Sequence, residues 1–211
     1  MLTLFNSLKN PIHVRIQKHH ELYPNIPVKA EYWESMLVGA INDVDPNIDP
    51  QWTCGSQQIG RDIVLNSTKE EISCKSGQIH SDGRVKYSSS SLSRFGGDAC
   101  LMKTYLQTSK TEDFIFCLST YKNSSKTFDG RYLLYYFPYD VVNYSSMKWD
   151  VFGKGKDICG VNSDGVRLTI TQAMGWQVWY YIPINLAVSS CCVNAKIPLC
   201  GPGTEFFQFA A

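Results

Sequence analysis

The sequence predicts a mixed α+β fold of the α/β type, a central mixed β-sheet flanked by helices. Three observations carry this. An amphipathic helix stands early, an acid-bearing hairpin follows it, and alternating apolar runs fill the second half. The chain of 211 residues is 44% hydrophobic and 13% aromatic, enough for one ordinary core without a metal or disulfide staple. No linker-like stretch divides it, so residues 1–211 are expected to form a single domain.

Taken in order, the first thirty residues hold Pro11, Pro24 and Pro27 and are expected to be irregular. Lys29 to Ile41 reads as a helix, because Trp33, Met36, Leu37, Ala40 and Ile41 recur at helical spacing on one face. Asn42 to Pro50, with its prolines and aspartates, is a stop and a loop. Arg61 to Leu65 and Glu70 to Ser76 are short strands joined by the turn-forming Asn66-Ser67-Thr68-Lys69, which makes a hairpin. Val85-Lys86-Tyr87, the serines Ser88 to Ser91 and Leu92 to Phe95 read as the start of a helix with a serine cap, broken at Gly96-Gly97. Strands are expected at Phe114–Thr120, Tyr132–Phe137, Val166–Thr171 and Trp176–Ile182, with a loop around Gly153-Lys154-Gly155-Lys156. The uncharged run from Leu168 to Ala195 is long enough to span a bilayer, but it contains Pro183 and several Gln, Asn and Ser residues, and its apolar residues alternate. It reads as buried sheet, with no membrane span.

Lys and Arg number 20 against 19 Asp and Glu, a net charge of +1, which excludes a histone-like polycation while leaving room for a local basic groove. The eight cysteines lie partly in strand-like apolar runs, as in Phe114-Ile115-Phe116-Cys117-Leu118, where a thiol packs as a small hydrophobe. Met1 to Asn10 has no apolar run of signal-peptide length. Reduced thiols and a cytoplasmic location are therefore expected. The histidines form no metal-ligand set, and Cys191, Cys192 and Cys200 lack an accompanying C-x₂-C pair. No G-x-S-x-G elbow and no glycine-rich phosphate loop occurs, so neither a serine hydrolase nor a nucleotide cofactor is expected.

The hairpin carries the chemistry. Residues two apart in a strand share a face, so Glu71, Ser73 and Lys75 point one way while Ile72 and Cys74 enter the opposite, apolar layer. The partner strand starts with Asp62 and brings a carboxylate beside Lys75. An acid, a hydroxyl and an ammonium on one sheet edge suit phosphodiester hydrolysis. The carboxylate would hold Mg²⁺, a hard ion that prefers oxygen ligands, and the lysine would orient or deprotonate water and offset transition-state charge.

The segment Asp62 … Glu71-Ile72-Ser73-Cys74-Lys75 resembles the motif of the PD-(D/E)XK nucleases, in particular type II restriction endonucleases. The serine-rich stretch Lys86 to Phe95, ending Leu-Ser-Arg-Phe, is similar to a segment that follows the lysine in several of them, and Ile170 to Trp179 is similar to a late segment in some. The resemblance implies a restriction-endonuclease-like fold and Mg²⁺-dependent cutting of double-stranded DNA at a short site. It gives Asp62 as a metal ligand and Lys75 as the residue serving the attacking water. Ser73 stands where the family has Asp or Glu, so the missing acid would come from Glu71 or from Glu34 on the early helix.

Arg61, Arg84, Lys86 and Arg94, with Ser88, Ser89, Ser90 and Ser91, are candidates for holding phosphates or reading bases. Cutting two strands from one site per chain implies a homodimer, for which Leu168 to Ala195 and the tail Phe206-Phe207-Gln208-Phe209 offer apolar surface. Two other readings stand beside this one: a non-catalytic DNA-binding module whose motif has decayed at Ser73, and a secreted β-rich protein using its cysteines as bridges.

Overall fold

The computed structural model describes residues 1–52, 62–108, 114–122, 128–152 and 157–195. The helices are α1 (Leu2–Leu22), α2 (Ala30–Val44) and α3 (Ala99–Thr108). The strands are β1 (Pro50–Trp52), β2 (Ile63–Leu65), β3 (Glu71–Ile79), β4 (Arg84–Ser91), β5 (Phe114–Lys122), β6 (Phe128–Pro138), β7 (Lys148–Phe152), β8 (Asp157–Val161), β9 (Arg167–Thr171), β10 (Gln177–Pro183) and β11 (Ser189–Asn194). They make one mixed sheet in the order β11-β6-β5-β3-β4-β10-β9-β8-β7, with β1 and β2 attached to β3. Among the described strands only β3 and β5 run parallel, and the crossover between them carries α3. The α/β expectation holds.

Two cores lie on opposite faces of the sheet, sorted by strand alternation. Ile72, Cys74, Phe116, Leu118 and Leu134 pack under α1 and α2, where Trp33 is wholly buried and donates its Nε1 to Phe116 O at 3.2 Å. Ile115, Cys117, Phe137, Tyr87, Tyr180 and Leu168 pack on the other face with Met102 and Leu106 of α3. Among the described residues, no helix is long and apolar enough to cross a membrane.

Of the first thirty residues, only Tyr23 to Lys29 are irregular, because α1 takes up Leu2–Leu22. Phe5, Leu8, Ile12 and Ile16 recur at helical spacing and are all fully buried. Each such burial contributes about 1.5–3 kcal/mol, so together they outweigh the roughly 3 kcal/mol that Pro11 costs inside α1. The serine run is not a helix start either. It forms β4, with Ser88 opposite Trp179 and Ser91 opposite Gln177. The helix begins beyond Gly96 and Gly97, whose φ values of 61° and 89° suit glycine. Asp98 caps it, its Oδ1 accepting from Cys100 N at 2.8 Å and Leu101 N at 3.0 Å. The β2–β3 hairpin, α2, β5, β6, β9 and β10 lie where the pattern places them; α2 runs on to Val44 before a 3-10 turn at Pro46–Ile48. β1, β7 and β8 were not expected, while β11 falls in the Leu168–Ala195 run read as buried sheet.

Cys74, Cys117 and Cys191 are buried, Cys159 and Cys192 half-buried and Cys100 exposed, and all six are free thiols. Cys54, Cys200, Lys154, Lys156 and the Phe206–Phe209 tail lie outside the described residues.

Candidate active site

The site grows from a break in the strand pairing of β3. On one edge, β5 pairs with β3 continuously from Ile72 to Gln78. On the other, β2 pairs at Glu71 and Ile72, and β4 pairs only from Gly77 onward. Between the two pairings on that edge lies the stretch Ser73 to Ser76, which Asp62 approaches. Gly77 sits where β4 joins; a Cβ there would lie 2.5 Å from Lys86 O, so only glycine lets the strands meet.

Asp62 fills the gap. Its backbone N donates to Ile72 O at 3.2 Å, which extends the hairpin by one residue and aims the carboxylate along the open edge. Asp62 Oδ2 then accepts from Cys74 N at 2.7 Å, Lys75 Nζ at 3.0 Å and Ser73 Oγ at 3.3 Å. The side chains of Lys75 and Asp62 are only 13% and 17% exposed. Among the described residues all these donors go to Oδ2, and Oδ1 takes none. Ser73 is fully buried, and its hydroxyl helps hold the carboxylate.

Glu34 enters from α2, where Oε2 accepts from Trp52 Nε1 of β1 at 2.9 Å. Burial pushes the Glu34 carboxyl above its ordinary value, and the Asp62 charge pushes it further; the Trp52 bond and the Lys75 charge pull it down. Glu34 therefore shares one electrostatic environment with Asp62 and Lys75. Glu71 starts β3 opposite Val64, half-buried, and is not among the charges acting on Glu34. Of the two acids offered in place of the one missing at Ser73, Glu34 lies within the field of the Asp62 and Lys75 charges. Trp52 escaped the sequence reading: only the need of a half-buried indole N–H for an acceptor hinted at it.

Cys74 is no nucleophile, since burial first and the Asp62 charge next raise its thiol well above the ordinary value. Burial likewise lifts Cys117, beside Lys75 in register, to about 12. What remains is two carboxylates and an ammonium at an open strand edge. Among the described residues, no group of three or more His, Cys, Asp or Glu is gathered to hold a metal. Mg²⁺ needs no such cage, being held by one or two carboxylates with water and phosphate oxygens completing its shell. The open Oδ1 of Asp62 and the mutual repulsion of Asp62 and Glu34 fit a hard cation.

The candidate DNA contacts are scattered. Arg84 is committed within the fold, its Nη1 to Asp82 Oδ2 at 2.7 Å and its Nε to Gly165 O at 3.3 Å. Lys86 Nζ lies 4.6 Å from the centre of the Trp179 ring and 5.5 Å from that of Tyr181. The Arg94 guanidinium covers Tyr105 at 4.3 Å. Ser88 is exposed and Ser89 half-buried. Ser91 Oγ donates to Gly175 O and accepts from Ser93 N. Ser90 lies within β4, and Arg61 lies outside the described residues.

No protein-family model matches the chain, and no curated protein matches it.

Proposed function

We propose that this protein is a Mg²⁺-dependent endonuclease of the type II restriction kind, cutting double-stranded DNA at a short specific sequence. The observation that carries the reading is the Asp62–Lys75 pair, closed at 3.0 Å between the β2 and β4 pairings of β3, with Glu34 in its field. Asp62 and Glu34 are the residues that would hold the ion. When bound there, Mg²⁺ supplies Lewis-acid polarisation of the phosphate and lowers the pKa of water.

The chain's own residues do the rest. Asp62, anchored by Cys74 N–H and Ser73 Oγ, fixes the Lys75 ammonium at the strand edge, so its position is set before substrate arrives. Lys75 orients the water whose oxygen bonds to phosphorus, its proton passing to solvent, while the opposite P–O ester bond breaks and the leaving oxygen takes a proton from solvent. Its charge offsets the extra negative charge of the pentavalent transition state. Two strands need two such sites, so the working form is a homodimer, and the six free thiols suit a reduced cytoplasm.

The buried Ser73 in the acid's place favours one other reading, a DNA-binding module that no longer cuts. Unmethylated phage DNA incubated with the protein and Mg²⁺ separates the two. Discrete fragments are expected; intact DNA under conditions where the protein binds it would establish the binder instead.

A further inference from the structure

Among the described residues, the helices cover only half of one sheet face. The core under α1 and α2 draws on β2, β3, β5, β6 and β11 and includes nothing from β4 or β7 to β10. On the opposite face those same strands are dry, with Val85, Tyr87, Val178, Tyr180, Ile182, Leu168 and Ile170 buried. Their other side chains stand on a face that no described helix covers.

Strand register arranges that face in rows. One row runs from Gln78 of β3 to Lys86 of β4, Tyr181 of β10 and Arg167 of β9. The next places Ser88 opposite Trp179, and Trp179 opposite Thr169. Lys86, Arg167, Trp179 and Tyr181 are all half-buried. Lys86 lies over both rings, and the Arg167 guanidinium lies 4.1 Å from the Tyr181 centroid. Among the described residues neither cation pairs with a carboxylate. The acids of this face, Asp150 and Asp157, belong to β7 and β8 on the far side of Arg167. The half nearer β3 is thus a cationic, aromatic platform on the α1/α2 side of the sheet, the side from which Glu34 approaches, while Lys75, in step with Gly77 and Ile79, enters the other side.

We infer that this platform, centred on Lys86, Tyr181 and Arg167, seats the phosphodiester backbone of the duplex. The inference rests on the nuclease reading and adds the surface that holds the substrate. Two cations held over aromatic rings, two strands and so about 10 Å apart, meet a partner carrying one negative charge per about 1.7 Å of axis. The rings keep both side chains extended and ready, and their own faces pack against sugar. Of these four residues the sequence had singled out only Lys86 for DNA.

The test is fluorescence anisotropy of a 30-bp duplex of arbitrary sequence, in EDTA, from 50 to 200 mM KCl. A phosphate contact contributes about 0.9 to the slope of log K against log salt. Lys86→Gln/Arg167→Gln should therefore lower the slope by about 1.8. Lys86→Arg/Arg167→Lys should keep it, and so should Lys18→Gln, on the exposed side of α1. If the charge-preserving pair loses the slope too, or the Gln pair retains it, the platform is wrong. A single-stranded oligonucleotide bound more tightly than the duplex would also overturn it, in favour of bases stacking on Trp179 and Tyr181. Wild-type protein that cuts DNA while the Gln pair binds normally removes this inference alone. A slope that falls as expected in a protein that never cuts removes only the nuclease reading, and no binding by wild type removes both.

Discussion

Replacing Asp62 by alanine removes the acceptor shared by Cys74 N–H, Lys75 Nζ and Ser73 Oγ. A fully buried charge stripped of its partner costs about 3–5 kcal/mol, and an exposed one about 0–1 kcal/mol. With Lys75 13% and Asp62 17% exposed, this pair lies nearer the buried limit, though water reaches it. An orphaned backbone N–H adds about 1–3 kcal/mol. Relief of Glu34, whose carboxyl the Asp62 charge helps to push up, works in the opposite direction. The expected net loss is about 2–4 kcal/mol. Urea unfolding at pH 7.5 in EDTA measures it as a fall in midpoint at constant m. Asp62→Asn keeps an acceptor for Cys74 N–H without the charge and should fall between. Asp62→Ala/Lys75→Met removes the orphan ammonium as well and should recover part of the loss, with a coupling of about 1–3 kcal/mol. A single variant within about 0.5 kcal/mol of wild type, the range of an ordinary surface change, would refute the account of Asp62, as would strict additivity in the double.

Further expectations concern the rest of the site and its frame. The Glu34 carboxyl is raised above 4.5 in the fold, so its contribution to stability is complete below pH 4.5 and is lost as pH climbs through the raised value. Glu34→Gln should therefore match wild type in Tm below pH 4.5 and gain on it above, and an unchanged difference across that window would contradict the shift. Mg²⁺ or Ca²⁺ at millimolar concentration should raise the Tm of wild type at pH 7.5 and leave that of Asp62→Ala unmoved. Gly77→Ala drives a methyl toward Lys86 O and should cost about 1–3 kcal/mol in urea unfolding. In thiol titration of the native protein, Cys100 should react at once, while Cys74, Cys117 and Cys191 should react only on unfolding.

What could be read in the sequence was whatever depends on local spacing. The turn Asn66-Ser67-Thr68-Lys69 between two apolar runs specified the β2–β3 hairpin, and with it the meeting of Asp62 and Lys75. The face of α2 followed from Trp33, Leu37, Ala40 and Ile41. Pro11 concealed α1, because a local breaker is visible in sequence and the burial of Phe5, Leu8, Ile12 and Ile16 that overrides it is not. The serines of β4 lack strand propensity and are held as a strand by β10, a partner distant in sequence. For the same reason the interval Ser73 to Ser76 was illegible: it lies where β2 and β4 attach to the same edge of β3 at different ends. The pairing of Glu34 with Trp52 also required the docking of α2 against β1.

The central claim is that Asp62 and Lys75 cut DNA, and its most direct measurement is agarose-gel cleavage of unmethylated phage DNA by three folded proteins: wild type, Asp62→Ala and Lys75→Ala. Wild type in Mg²⁺ should give discrete bands and in EDTA none, and both variants should leave the DNA intact in either buffer. Intact DNA with wild type, or the same bands from either variant, would contradict the account.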